Sequence, residues 1–276
     1  MLSWSKHLYR SGNHILWRER CFDKLSMTCY NSFTITKTKN KHRPMTTWIN
    51  TRDYSPLELI MFGVGCLLWI VVYLFTLRNI RRHQFMDIPL ATVCGNIVWE
   101  FLWSWVFQTD MGMLFQWGYR IWFFLDCVIV FGAFRYGYKQ LTLPALRERA
   151  RVLFGLGIVA WAPVLYYYIR LYDAPISHMG AYSGYILNVL ISVLYLPLYL
   201  RLRTQPEGRL FSGGSAWAKA VGNALINVFC FLHFHDGFLL SLCVLTSVFD
   251  VAYLLLLATD RRPAAAFSPT LSPAAS

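Results

Sequence analysis

Charge is scarce in this chain. Only 14% of its 276 residues are charged, against roughly 25% in a soluble domain. That shortage excludes an ordinary soluble enzyme, a disordered chain and a fibrous repeat, and it weighs against a nucleic-acid module although the net charge is +12. No CxxC pair occurs among the seven cysteines (Cys21, Cys29, Cys66, Cys94, Cys127, Cys230 and Cys243). Five of them stand in apolar runs, where Cys behaves as a small hydrophobe, so neither a structural disulfide nor a zinc site is expected. The last apolar run holds no lysine, which excludes a retinal Schiff base there. No HExxH and no Ser-His-Asp arrangement is evident.

Long apolar runs are abundant. Hydrophobic residues make up 56% of the chain, aromatic residues 17%, and the mean hydropathy is +0.40. A membrane-crossing helix needs about 20 mostly apolar residues. Seven segments qualify: 57–77, 88–107, 117–137, 152–170, 180–200, 216–233 and 238–258. The connections are short, so neighbouring helices run antiparallel. Helices are the expected form because backbone polar groups in lipid must pair internally. The fold class read here is an all-α membrane protein, a seven-transmembrane-helix bundle. Fourteen basic residues fall on the side holding the carboxy terminus, with Lys219 placed in the fifth-to-sixth loop, against Arg52, Arg120 and Arg170 opposite. This asymmetry puts the carboxy terminus in the cytoplasm and the start of the first helix outside.

The ends are different in kind. Residues 1–44 hold nine basic and two acidic residues and no run long enough to span. A basic extension outside contradicts that orientation. It is read as a disordered extension, either preceding a true start at Met45 or serving as a removed targeting segment. Residues 263–276 are rich in Pro, Ala and Ser and are expected to be disordered.

Ionisable residues inside spans are functional hypotheses by default. There are three, Glu100, Asp126 and Asp250, each within roughly 4 Å of its span's centre at 1.5 Å per residue. All three therefore share one slab, and no Lys or Arg is expected at that depth. Neutral carboxylic acids in an apolar chamber are the cheap solution, and acid-initiated chemistry needs such groups. Asn96 lies one turn before Glu100 and is expected to orient it. Trp103 and Phe107 continue that stripe, with Trp99 beside it. Trp122 shares a face with Asp126, and Thr246 and Tyr253 share one with Asp250. Aromatic faces can stabilise a passing cation by about 0.5–2 kcal/mol each when desolvated. The bland alternative is that an acid only glues helices together, and Asp126 is the best candidate for that. Asn223 with Asn227, and Asn188 with Ser192, read as helix–helix hydrogen bonds. His233, His235 and Asp236 resemble a metal cluster, but positions two apart on a helix diverge, so no metal is assigned.

No Asp-rich DDxxD or DxDD run occurs, so the motifs of diphosphate-dependent and soluble acid-type terpene synthases are missing. No pair of Asp-rich loops of the membrane aromatic prenyltransferase kind occurs either. Residues 88–107, IPLATVCGNIVWEFLWSWVF, nevertheless resemble the second span of the PaxB-type integral membrane terpene cyclases of fungal meroterpenoid and indole-diterpene pathways, through Asn96, Trp99 and Glu100. Residues 247–257, SVFDVAYLLLL, resemble that family's last span, with Asp250 and Tyr253. Residues 120–137, with Asp126, look like the third span of the indole-diterpene branch. The resemblance implies a seven-helix bundle that cyclises a polyprenyl chain by protonating a terminal epoxide or an olefin, an isomerase- or lyase-type reaction without metal, cofactor or diphosphate loss. It implies Glu100 and Asp250 as the two essential acids. The partners it implies are a prenylated small molecule entering from the bilayer and the lipid membrane itself, with no nucleic acid. The membrane would be the endoplasmic reticulum in a fungus or the cytoplasmic membrane in a bacterium. A proton-coupled transporter and a non-enzymatic seven-helix protein remain as alternatives.

Overall fold

A computed structural model describes residues 7–11, 14–18 and 47–260. The chain divides into two units, Met1–Pro44 and Met45–Ser276. In the first unit, β1 (His7–Ser11) pairs antiparallel with β2 (His14–Arg18). The sequence reading places no ordered element there. The rest of the basic extension and the 263–276 tail lie outside the described residues.

The second unit is helical: α1 (Pro56–His83), α2 (Leu90–Phe101), α3 (Met113–Arg135), α4 (Pro144–Tyr168), α5 (Ala181–Leu202), α6 (Gly213–His233) and α7 (Gly237–Thr259). Six of these are long and apolar enough to cross a membrane. Polarity is inverted relative to a soluble protein. On α1 the exposed large apolar side chains are Leu57, Ile60, Val64, Leu67, Val71 and Leu74, a stripe at helical spacing. The buried set includes Glu100, Asp126, Lys219, Asn223 and Asp250.

Local chemistry sets the helix ends. Ser55 and Glu58 form a capping box at the start of α1, with Pro56 in the first turn. Arg81, Arg82 and His83 occupy its last turn, where the helix dipole favours cations.

The second expected span, 88–107, departs from a continuous α-helix. Pro89, with its fixed φ, starts α2 only at Leu90. At the other end the ladder widens into a π turn, Leu102–Val106, closed by the Phe107 amide donating to the Leu102 carbonyl at 2.7 Å. Side chains of α3 take up carbonyls of this turn. Gln116 Nε2 donates to Trp103 O at 2.6 Å and to Ser104 O at 3.1 Å. α4 likewise starts at Pro144, earlier than the expected 152, and ends in a second π turn, Ile169–Asp173.

α6 packs between α1 and α7, α2 packs on α3 and α4, and α5 packs on α7 and α2. The α1–α6 crossing is close because both helices present glycine. A Cβ on Gly65 would lie 2.9 Å from the Gly222 carbonyl oxygen. Small residues permit such backbone approach between membrane helices.

Loops cover both ends of the bundle. At the end where α1 starts, residues 47–50 pair with the segment before α3. The Met113 and Leu114 amides donate to the Thr47 and Trp48 carbonyls, and Asn50 N donates to Met111 O. Gly112, at φ 113°, permits this contact, since a Cβ there would meet Trp48 O at 2.6 Å. At the opposite end the link between α1 and α2 turns inward, burying Phe85, Met86, Asp87 and Ile88. Gln140 holds Met86 by both backbone groups, at 3.2 and 2.9 Å.

Asp87 in this link yields a pH prediction. Burial pushes its carboxyl up to about 6 from 3.8, against the pull of hydrogen bonds from Thr76 and Asn79. A folded-state value raised above the unfolded one stabilises the fold at low pH, and that contribution is lost as pH rises through about 6. We expect Asp87→Asn to stabilise the detergent-solubilised protein at pH 8 by up to about 3 kcal/mol. The advantage should vanish near pH 4. Thermal melts of both proteins across pH 4–8 check this, and a difference independent of pH refutes it.

Candidate active site

A cavity of about 130 Å³ lies inside the bundle. α1 contributes Cys66, Trp69 and Tyr73, α2 contributes Asn96, Trp99 and Glu100, and α3 contributes Tyr119 and Trp122. α5 and α6 close the far wall with Gly184, Tyr185, Asn188, Ile226 and Phe229. Ile88 comes from the inward-turned link, and Met179 and Gly180 come from the segment before α5. The wall is aromatic and almost wholly apolar.

Glu100 is the acid on that wall. Its residue is 3% exposed, and its carboxyl makes no hydrogen bond to any described residue. Helical spacing brings it there: α2 buries Thr92, Val93, Cys94, Gly95, Val98 and Trp99 with it, and the π turn begins two residues later. π turns inside helices are often found at functional sites.

The Asn96 amide lies on the same wall but does not hold Glu100, which corrects the expectation from spacing. It donates to Asp126 Oδ2 at 2.7 Å and to the Tyr73 hydroxyl at 2.8 Å. The reason is reach. The carboxylate across the α2–α3 contact accepts the amide, whereas one turn along α2 the two side chains both point into the cavity. Asp126, 2% exposed, also takes a hydrogen bond from Tyr73. It lies behind the wall, with Tyr73 between it and the cavity space.

Asp250 is the larger correction. Lys219 is not a loop residue. α6 starts at Gly213, so Lys219 stands almost two turns inside it, 2% exposed, and its ammonium pairs with Asp250. A cation is thus present among the buried acids. The same ammonium donates to Ser192 Oγ at 2.6 Å and lies 5.8 and 5.5 Å from the ring centres of Trp69 and Tyr195. The other Asp250 oxygen accepts from Asn223 at 2.6 Å, and Asn223 accepts from Asn188 at 2.9 Å and from Trp69 at 2.8 Å. Asp250 does not line the cavity. It reaches it through Asn223 and Asn188. The signal for Lys219 was available: Lys219, Asn223 and Asn227 recur every four residues, one polar stripe on an apolar helix.

The remaining expected residues divide. Trp99 and Trp122 line the cavity. Trp103 is fully buried behind Trp99, ring centres 6.5 Å apart. Thr246, 0% exposed, and Tyr253 do not reach the wall. Tyr253 packs instead on Tyr195 and Tyr199 at 5.2 and 5.9 Å. The asparagines act as helix–helix links, as read from sequence; Asn227 bonds Cys243 O and Ser247 Oγ on α7. His233 is engaged by Glu58 at 3.2 Å and stacks on Tyr54. Tyr73 and Asn188 line the cavity and were not singled out for it from the sequence; Lys219 stands behind the wall with Asp250.

Three fungal relatives share parts of this chain. Terpene cyclase spyD of Aspergillus fumigatus is 24% identical over 137 residues, 49% of this chain and 57% of its own length. The Pyr4-family terpene cyclase mfmH of Annulohypoxylon moriforme is 22% identical over 229 residues, 78% of this chain and 92% of its own length. Terpene cyclase trt1 of Aspergillus terreus is 26% identical over 101 residues, 36% of this chain and 46% of its own length. The match thus spans about half the length of the first and third. No solved structure matches. The family of Pyr4-like transmembrane terpene cyclases matches residues 51–262, a stretch that holds all seven helices and every wall residue of the cavity, and the resemblance read from Asn96, Trp99, Glu100 and Asp250 is borne out: the chain belongs to the Pyr4-like transmembrane terpene cyclases.

Proposed function

We propose that this chain cyclises the polyprenyl tail of an epoxidised meroterpenoid by acid initiation, without metal and without loss of diphosphate. One observation carries the reading. The acid on the wall of the aromatic cavity, Glu100, has no hydrogen-bond partner among the described residues. An unpaired charge is costly in such surroundings, so the carboxyl is held most cheaply as the neutral acid. A neutral acid in an apolar cavity is a proton donor.

In this reading Glu100 protonates the epoxide oxygen, the C–O bond opens, and successive alkenes add to the cation. The faces of Trp99, Trp122, Tyr119 and Trp69 shelter the charge. The cascade ends when a carbon loses a proton. The Tyr73 hydroxyl stands on the wall and is hydrogen-bonded to Asp126, so it can pass that proton to Asp126, and proton return from Asp126 to Glu100 resets the acid. Substrate and product are isomers. Asp250 acts from behind the wall, as a carboxylate paired with Lys219.

The cavity is close in size to an engineered hole of about 150 Å³ that admits benzene. A fifteen-carbon chain is larger, so wall side chains must move as it binds. Binding is from the bilayer, with α2 and its π turn serving as the seventh span. The basic-residue asymmetry supports a cytoplasmic carboxy terminus and an outer amino terminus, in the endoplasmic reticulum of a fungal host.

The test is turnover in membranes. Microsomes bearing the full chain are incubated with epoxidised farnesyl and geranylgeranyl meroterpenoid precursors, and mass spectrometry looks for an isomer of equal mass and shifted retention. An isomer above the empty-membrane control supports the reading. None from any precursor refutes it.

A further inference from the structure

Trp99 is held from behind by a buried carboxyl group. Its indole Nε1 donates to Ser183 Oγ at 2.7 Å. The Ser183 hydroxyl in turn donates to Asp173 Oδ2. Asp173 and Ser183 are both 0% exposed. Asp173 closes the second π turn, and four donors converge on it: Ser183 Oγ, the Ser183 amide at 2.7 Å, the Tyr182 amide at 3.2 Å and the Ser177 hydroxyl. Each carboxyl oxygen accepts a backbone amide, and the Ser183 hydroxyl stands between the indole N–H and Asp173 Oδ2. The chain runs from Trp99 through Ser183 to a buried carboxyl group.

Two glycines complete the seat. A Cβ on Gly180 would lie 2.9 Å, and one on Gly184 3.1 Å, from Trp99 Cζ2. Tyr119 meets the indole edge-on, at 5.6 Å and 84°. The ring is thus clamped at its N–H and along the adjoining edge of its six-membered ring, while Trp99 lines the cavity beside Glu100.

We infer that Asp173 and Ser183 are positioning residues for the cyclisation: they lock Trp99 against rotation and draw on its N–H, which enriches the ring where the carbocation passes. The inference rests on the cyclase reading above. Hydrogen bonds in series polarise one another, and an aromatic face attracts a cation through its negative quadrupole. A ring left free to turn would shelter the cation less, so proton loss would come earlier and leave fewer rings closed.

The test is a double-mutant cycle on the full chain in membranes, with the variants Ser183→Ala, Trp99→Phe and both together. Each single variant should raise the ratio of early-quenched to fully cyclised product by about three- to tenfold. The double variant should exceed Trp99→Phe by less than about twofold, because phenylalanine has no N–H for the relay to hold. A second readout is independent of turnover. In detergent, the ¹⁵N-indole resonance lost in Trp99→Phe belongs to Trp99, and it should move upfield in Ser183→Ala and in Asp173→Asn. An unchanged product ratio in Ser183→Ala, additive effects in the double variant, or an unmoved resonance overturns the inference. If wild type makes no isomer at all, the cyclase reading itself fails and the functional half of this inference fails with it, whatever the resonance does.

Discussion

Glu100→Gln should leave a folded protein whose turnover falls by at least about 10²–10⁴-fold, the range a positioned general acid supplies. The amide matches the carboxyl in shape. The carboxyl makes no hydrogen bond to any described residue, so the exchange breaks no link between helices. What it removes is the transferable proton. Isomer formation from the epoxidised precursors, compared at equal expression and with thermal stability measured alongside, reads both halves. Full turnover in a folded Glu100→Gln protein would move the proton donor elsewhere. Loss of folding would instead make Glu100 a structural group.

The second large effect concerns Lys219 and Asp250. Removing one member of a buried ion pair strands the other's charge and costs about 3–5 kcal/mol, whereas removing both is often neutral or favourable. Asp250→Asn alone and Lys219→Met alone should each lower the melting temperature steeply. The double variant should recover most of the loss. Turnover should recover with it, because neither side chain is placed to deliver a proton into the cavity. A double variant that is stable yet inactive would make Asp250 a participant in the chemistry rather than a support for Asn223 and Asn188. This outcome separates two meanings of an essential acid in α7. One is a group that reacts, and the other is a group whose loss leaves an ammonium without a partner inside the bundle.

Much of the architecture was legible because the bilayer imposes length. Six of the seven expected runs coincide with helices long enough to cross it, to within a few residues at most ends. The second run departs from a continuous α-helix, and composition does not register where the hydrogen-bond ladder changes step. IVWEFLWSWVF is equally apolar in an α-helix and in a π turn, and the carbonyls the turn leaves are met by Gln116 and Arg120 from another helix. Glu100, Trp99 and Trp122 were found because each is conspicuous within its own helix. Tyr73, Ser183 and Asp173 were not, because a tyrosine, a serine or an aspartate near a helix end is ordinary until its partner across the bundle is known. Lys219 was lost to the charge count. It lies inside the expected run 216–233, yet it was counted with the fifth-to-sixth loop, so a buried cation looked like a loop charge.

The loops at the two ends of the bundle bear on how rate is measured. With residues 47–50 strapped across one end and Phe85–Ile88 folded into the other, the proposed reading takes a substrate dissolved in lipid, and for such a substrate aqueous concentration is the wrong variable. The relevant quantity is mole fraction in the membrane. Extra lipid dilutes such a substrate without changing its amount per volume, and the Michaelis constant takes the units of substrate molecules per lipid. On the proposed reading, the host cell then sets the flux by how crowded its membrane is with the prenylated precursor, a control that no assay in clear solution would register.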